Sequence, residues 1–176
     1  MSVRLITPTG IERHFGDEEI IVSKTDLSGG LTYVNALFLQ LSDYTEDEVL
    51  GQPHNMIRHP DMPRAVFEML WRTIASGKEI FAYVINMAKN GDHYWVLAHV
   101  TPTFGSDGKI IGYHSNRRQA ERSALDKVRP LYATLLREER KAEAKREQVE
   151  LSSRLLNEHL AKLTMSYDEF VWSLAA

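Results

Sequence analysis

Apolar positions recur along this chain with two different periods, and the change from one to the other divides it. Glu19-Ile20-Ile21-Val22-Ser23-Lys24-Thr25 is a β-branched run that ends in Asp26-Leu27-Ser28-Gly29-Gly30, and Leu31-Thr32-Tyr33-Val34-Asn35 follows, which predicts a hairpin. Ala36 to Leu41 and Thr45 to Leu50 then read as short helices, the second opened by a capping box of Thr45 with Glu48. From Asp61 to Ser76, the spacing of Ala65, Val66, Met69, Leu70 and Ile74 predicts a longer helix stopped by Gly77. Three strands come next: Ile80 to Ala88, Tyr94 to Thr103 after the turn at Asn90-Gly91, and Lys109 to Arg117 after Ser106-Asp107-Gly108.

After Arg118 glycine disappears and the period becomes helical. Steps of three and four from Leu125 visit Val128, Tyr132, Leu135, Glu139, Ala142, Arg146, Val149, Ser153, Leu156, Leu160, Leu163, Tyr167, Phe170 and Leu174. That is a coiled-coil-like seam weakened in its middle by Glu139, Arg146 and Ser153. It predicts a continuous or near-continuous helix, with breaks possible at Pro130 and at Ser166-Tyr167-Asp168-Glu169. The seam is expected to self-associate as a homodimer, to dock a partner, or to fold back on the domain. The organisation is an N-terminal cap over 1–17, a sensor-sized domain over 18–118 and a helical extension over 119–176.

Composition narrows the function. A chain of 176 residues holds one ordinary domain plus an appendage, and a net charge of −3 with both signs interspersed argues against nucleic acid as partner. No apolar run approaches the ~20 residues of a membrane span, nor is there a signal-peptide segment at the N-terminus, so no membrane insertion and a cytoplasmic location are expected. Zero cysteines remove disulfides, thiolate ligands and thiol nucleophiles. A phosphate loop, a nucleophile elbow and a paired His-Glu metal motif are likewise missing, so the chain does not read as an enzyme.

The chemistry concentrates in two runs, Gly51-Gln52-Pro53-His54-Asn55-Met56-Ile57-Arg58-His59-Pro60-Asp61-Met62-Pro63 and Lys89-Asn90-Gly91-Asp92-His93-Tyr94-Trp95-Val96. The first holds Arg, two His and Asp between prolines, which suits a stiff irregular segment around a ligand. Together they resemble the PAS domain of the bacterial aerotaxis receptor family, over roughly Glu18 to Leu136. The resemblance implies an α+β PAS fold: a five-stranded antiparallel sheet with helices on one face, a cavity between them, and FAD as the cofactor. It also implies a redox or energy sensor that signals to a protein partner such as a chemoreceptor.

In that family the residues matching Arg58, His59 and Asp61 are required for FAD binding, and Asn86 matches an asparagine on the first strand of the C-terminal hairpin. Arg58 and His59 supply the donors a pyrophosphate wants, and the Asn86 amide can both donate to and accept from the polar edge of a flavin. Asp61 accepts bonds from Arg58 or a ribose, or is only the N-cap of the helix it begins. The chain departs from the family at Ile80, where a tryptophan is usual, and Phe81 or Tyr83 are candidates to replace that indole. His54 and Trp71 complete the candidate cofactor contacts, although tryptophan at helical spacing usually means core. The alternatives are a haem gas sensor using His54, His59, His99 or His114, and a ligand-free interaction adaptor. His93, at a hairpin turn, is expected to be exposed.

Overall fold

The computed structural model describes residues 6–174. Its framework is a five-stranded antiparallel sheet of β1 (Ile21–Thr25), β2 (Leu31–Val34), β3 (Ile80–Met87), β4 (His93–Phe104) and β5 (Ile110–Gln119), in the order β2-β1-β5-β4-β3. The hairpins follow from the turns read above. Gly91 shows why that turn needs glycine: its φ is +98°, and a Cβ there would sit 2.2 Å from the Thr7 carbonyl oxygen. The join of β1 to β5, with Ser23 opposite Ser115 and Ile21 opposite Arg117, is the long-range pairing that closes the sheet and makes β5 its central strand.

Helices α1 (Ala36–Ser42), α2 (Glu46–Val49) and α3 (Arg64–Ala75) cover the inner face. Asn35 starts α1: its Oδ1 accepts the Phe38 amide at 3.1 Å and the Val22 amide at 3.0 Å, tying the helix to β1. Glu48 Oε2 accepts the Thr45 amide at 3.0 Å, the back half of the predicted capping box. Helix α3 begins at Arg64 rather than near Asp61 because Met62 precedes Pro63 and is held out of the helical region. The N-cap alternative for Asp61 is thereby corrected.

The C-terminal extension is helical, but as three helices rather than one: α4 (Arg122–Glu139), α5 (Lys145–Leu163) and α6 (Tyr167–Leu174). Pro130 lies inside α4 without ending it, and the first break falls at 140–144 instead. The second follows Thr164, in the left-handed region at φ 55°, and α6 opens with the capping box read from the sequence, Ser166 and Glu169 bonding each other's amides at 3.3 and 2.7 Å. These helices fold back. Tyr132 on α4 donates to the Tyr83 carbonyl oxygen at 2.6 Å and meets Trp95 at 5.9 Å, α5 lies along α3 and α4, and Trp172 on α6 rests against Phe81 of β3 at 4.8 Å. The sheet is therefore covered on both faces, its outer face by its own chain. Leu125, Val128, Leu135, Leu156 and Phe170, assigned to a seam, are buried within this fold, each burial stabilising by about 1.5–3 kcal/mol. None of the helices among the described residues is long and apolar enough to cross a membrane.

Of the expected cap over 1–17, residues 1–5 lie outside the described residues, as do 175–176 of the extension. The rest is bonded to the β3–β4 turn: Thr9 donates its amide to Gly91 O at 2.9 Å, and Arg13 to His93 O at 2.7 Å. Asp92 anchors it, accepting from Thr9 Oγ1 (2.7 Å), Asn90 Nδ2 (2.8 Å) and Arg13 Nε (3.0 Å), and these bonds hold its carboxyl down to about 2. A depressed carboxylate stabilises the fold above its unfolded value of about 3.9 and loses that contribution as the pH falls towards 2. The stability gap between wild type and Asp92→Asn should thus be full at pH 6 and close between about pH 4 and 2 in thermal melts.

Candidate functional site

Strand alternation sends Ser23 and Thr25 of β1, Val84 and Asn86 of β3, and Tyr113, Ser115 and Arg117 of β5 to the inner face. Opposite them α3 presents Phe67, Leu70, Trp71 and Ile74, positions three and four apart on one helical face, and the 3-10 turn His54–Ile57 brings in His54. Between sheet and helix lies a narrow cavity of about 40 Å³. Ligand and cofactor sites usually hold roughly 300–1,000 Å³, so α3 and the sheet must part for a planar ring to enter here. The cavity walls are largely apolar and aromatic, with Trp71 edge-on to Tyr113 at 5.7 Å.

The polar groups gather around Arg117, only 2% exposed and the largest fully buried side chain of the described residues. Its Nε donates to Ser115 Oγ at 3.0 Å, and its Nη2 to Ser23 Oγ and to His54 Nε2, the latter at 2.7 Å. These partners are neutral; among the described residues no carboxylate bonds this guanidinium. Burial brings its pKa down to about 10, which leaves it charged at neutral pH. The same burial, with Arg117 alongside, lowers the His54 pKa to about 3, so the imidazole is neutral and its Nε2 accepts. Four buried polar atoms around this region find no hydrogen-bond partner among the described residues: Arg117 Nη1, Asn86 Nδ2, Thr25 Oγ1 and the Tyr94 hydroxyl. Buried polar groups are normally bonded, so such a cluster is one that a bound molecule or ordered water would complete.

The proline-bounded segment is fixed to β3 beside this cavity by a bridge between Arg58 and Asn86 and by the His59 amide on Ile85 O at 3.3 Å. Its side chains diverge, as successive residues of an extended segment do. Arg58 stands off the cavity wall, over the Phe67 ring and 5.6 Å from its centroid; it donates to Met62 O, and its buried Nε is unpartnered. His59 is buried and faces the other side of the sheet, its Nδ1 accepting the Asp61 amide at 3.0 Å and its ring 5.6 Å from that of His93. Asp61 is mostly exposed, with Arg140 of the α4–α5 turn 3.8 Å away.

The structure thus brings His54, Asn86 and Trp71 together on the cavity and leaves Arg58, His59, Asp61 and Phe81 off its wall. Phe81 points outwards because it is five residues from Asn86 on one strand; there it stacks on His99 at 4.1 Å with planes 1° apart. His93 is half-buried beside His59, not exposed. Of the imidazoles weighed for haem, His54 is bonded at Nε2 by Arg117, His59 faces away from the cavity, and His99 pairs with Glu79 at 2.7 Å outside it; His114 lines the cavity with its Nε2 3.0 Å from Asn116 Oδ1.

The sequence reading gave no such role to two residues, Arg117 in the cavity and Glu139 at the start of its helical wall. Arg117 carried one signal: Tyr113-His114-Ser115-Asn116-Arg117-Arg118-Gln119 has no apolar face, which is unusual for a strand at the centre of a sheet. Glu139 broke the helical seam because its work is elsewhere. It is buried, and its Oε1 accepts the amides of Arg64 (2.6 Å) and Ala65 (3.4 Å), capping the N-terminus of α3, which has no side-chain cap of its own. Gln148 of α5 adds a bond to Arg64 Nε at 2.7 Å.

Comparison with known proteins agrees with this architecture. Residues 31–117 match the PAS fold family. Over 119 residues the chain is 46% identical to the aerotaxis receptor of Escherichia coli strain K12, covering 68% of this chain and 23% of that protein. It is 25% identical over 99 residues to a nitrogen fixation regulatory protein of Klebsiella pneumoniae, covering 56% of this chain and 20% of that one. Among solved structures, the dark state of the blue-light photoreceptor Aureochrome1 LOV superposes with a TM-score of 0.56 at 19% identity, over 66% of this chain and 84% of that one, a likeness of fold. The chain spans a quarter or less of the curated relatives it matches, 23%, 20% and 25% of the first three.

Proposed function

We propose, from the premise that this chain carries a PAS sensor domain related to that of the aerotaxis receptor, that it is a redox-sensing module: it holds FAD non-covalently in the cavity and passes the cofactor's state through its C-terminal helices to a signalling partner such as a chemoreceptor. The observation that carries this reading is the cluster of unpartnered buried polar atoms, Asn86 Nδ2 and Arg117 Nη1 foremost, facing an otherwise apolar and aromatic slot. A planar ring with acceptors along one edge fits that donor set, and Arg58, whose buried Nε finds no partner and whose guanidinium stands over Phe67 of the cavity wall, suits the phosphates of a dinucleotide. Bound flavin would supply reversible electron uptake.

What this chain's residues contribute is positioning and transmission. Asn86 can reverse its amide, donating or accepting as the ring edge changes. It sits on β3 three residues from Tyr83, whose carbonyl oxygen holds the Tyr132 hydroxyl of α4. The route from cavity to C-terminal helix is therefore one strand and one hydrogen bond long. The visible absorption spectrum of the freshly purified protein, with chromatography of the extracted cofactor, tests the reading. A flavin double band and released FAD are expected; a colourless protein that takes up no added FAD overturns it and leaves a ligand-free adaptor, and a Soret band makes it a haem protein.

Two substitutions separate binding from signalling. Arg58→Ala removes a charge-assisted bond worth about 1.5–3 kcal/mol, so FAD affinity should fall roughly tenfold to a hundredfold while riboflavin, which lacks phosphates, binds as before in equilibrium titrations. Asn86→Ala should retain most FAD but lose the redox-dependent change in protease sensitivity of the α4–α5 turn; an unaltered change in that mutant would rule out the β3 route.

A further inference from the structure

A buried guanidinium without a counter-charge is costly, and this one is held in place by neutral groups alone. Ser23, Ser115 and His54 satisfy Nε and Nη2 of Arg117, fix the plane of the fork and leave Nη1 free. Each partner is an uncharged acceptor, and His54 is kept neutral by its burial, with the contact adding to that effect. Other groups near the guanidinium add no negative charge: the Phe38 ring lies 5.6 Å from its centre, and the Tyr94 phenol is raised to about 12 by burial and so stays protonated. Natural buried arginines are ordinarily paired with a carboxylate or a bound anion, because the desolvation penalty of an isolated ion is several kcal/mol even after relaxation. A scaffold of neutral acceptors that orients the cation without neutralising it keeps its field available to the cavity that it lines.

We propose that Arg117 makes the cavity selective for a ligand carrying negative charge on its enclosed edge, the guanidinium being held without an internal counter-ion so that the ligand supplies it. The identity of that ligand as FAD rests on the reading above; the requirement for anionic character does not. For FAD the consequence is specific. Uptake of two electrons with one proton from solvent leaves one additional negative charge on the ring, and a buried cation at the ring edge favours the reduced form over the oxidised one. Arg117 therefore raises the midpoint potential of the bound cofactor, setting the point at which the sensor switches.

Arg117→Met and Arg117→Lys, compared with wild type, test this. In the ligand-free proteins Arg117→Met should melt at the same temperature as wild type or higher, since replacing an uncompensated buried charge by an apolar side chain of similar length is neutral or stabilising. The same variant should bind oxidised FAD at least tenfold more weakly and dithionite-reduced FAD about a further tenfold more weakly, which lowers the midpoint potential by about 30 mV for a two-electron couple. Arg117→Lys, which keeps the charge but not the fork, should recover most of the potential and only part of the affinity. Retention by Arg117→Met of wild-type FAD affinity and potential overturns the proposal. If the wild-type protein takes up no FAD, the flavin reading fails on its own and the ligand-free melts decide this one: a melting temperature for Arg117→Met at or above the wild-type value supports a cation held for an absent anion, and a lower one makes Arg117 a structural strut.

Discussion

A chain cut after Gln119 should fail to fold as a stable domain. Of the outcomes open to the seam, a dimerisation arm would leave a monomer on removal, but α4 and α6 fold back on the outer face of the chain's own sheet. Without them Tyr83, Ile85 and Trp95, all buried, open to water, and so do the contacts made by Leu125, Val128 and Leu135. Three side chains of that size at about 1.5–3 kcal/mol each already approach the 5–15 kcal/mol that stabilises an ordinary domain. The expected result is insoluble protein, or soluble protein without a cooperative thermal transition by circular dichroism. A soluble truncated chain that melts at the wild-type temperature would show the arm to be separable after all.

The second large effect is expected at Glu139. Changing it to Ala removes the acceptor for the amides of Arg64 and Ala65 at the buried start of α3. A lost cap costs about 0.5–2 kcal/mol, and leaving a buried donor unsatisfied about 1–3 kcal/mol. For a chain of this size each kcal/mol lowers the melting temperature by about 2–4 °C. Glu139→Gln retains an acceptor oxygen and should recover more than half of the loss. Because Glu139 is the last residue of α4, its removal should also speed protease cleavage within 140–144. A melting temperature for Glu139→Ala within a degree of wild type would show that water caps α3 equally well.

Much of the sheet was legible in the chain because its signals are local: β-branched runs, Asn90-Gly91, and Gly108 after Asp107. The existence of a site was legible through His54 and the residues around it. Its directions were only partly so. The period of two already sets Phe81 and Asn86 on opposite faces of β3, and the same rule separates Arg58 from His59; both follow from counting along an extended chain. Arg117 and Glu139 were hidden for a different reason. Each is a charged residue in a polar stretch, where solvent exposure is the ordinary outcome, and each is buried by a partner distant in sequence: Ser23 of β1 for Arg117, the start of α3 for Glu139. Likewise, the seam marked most of the inward residues of the extension, though Leu163 on it is exposed and Leu131 and Val171 off it are buried; what they pack on depended on the break at 140–144, which neither Gly nor Pro marks, whereas the capping box at Ser166 and Glu169 did signal the second break.

The cap that Glu139 gives α3 also sets an order of events during synthesis. Arg64 and Glu139 are 75 residues apart, a delay of roughly 4–15 s at translation rates of 5–20 residues per second. Throughout that interval the nascent chain holds the helix that walls the cavity with its first amides unanswered, and the outer face of β3 and β4, once paired, lies bare until α4 and α6 arrive. Helix α3, although made before the central hairpin, is therefore among the last pieces to be locked, and an apolar sheet face stays open until α4 and α6 have been made.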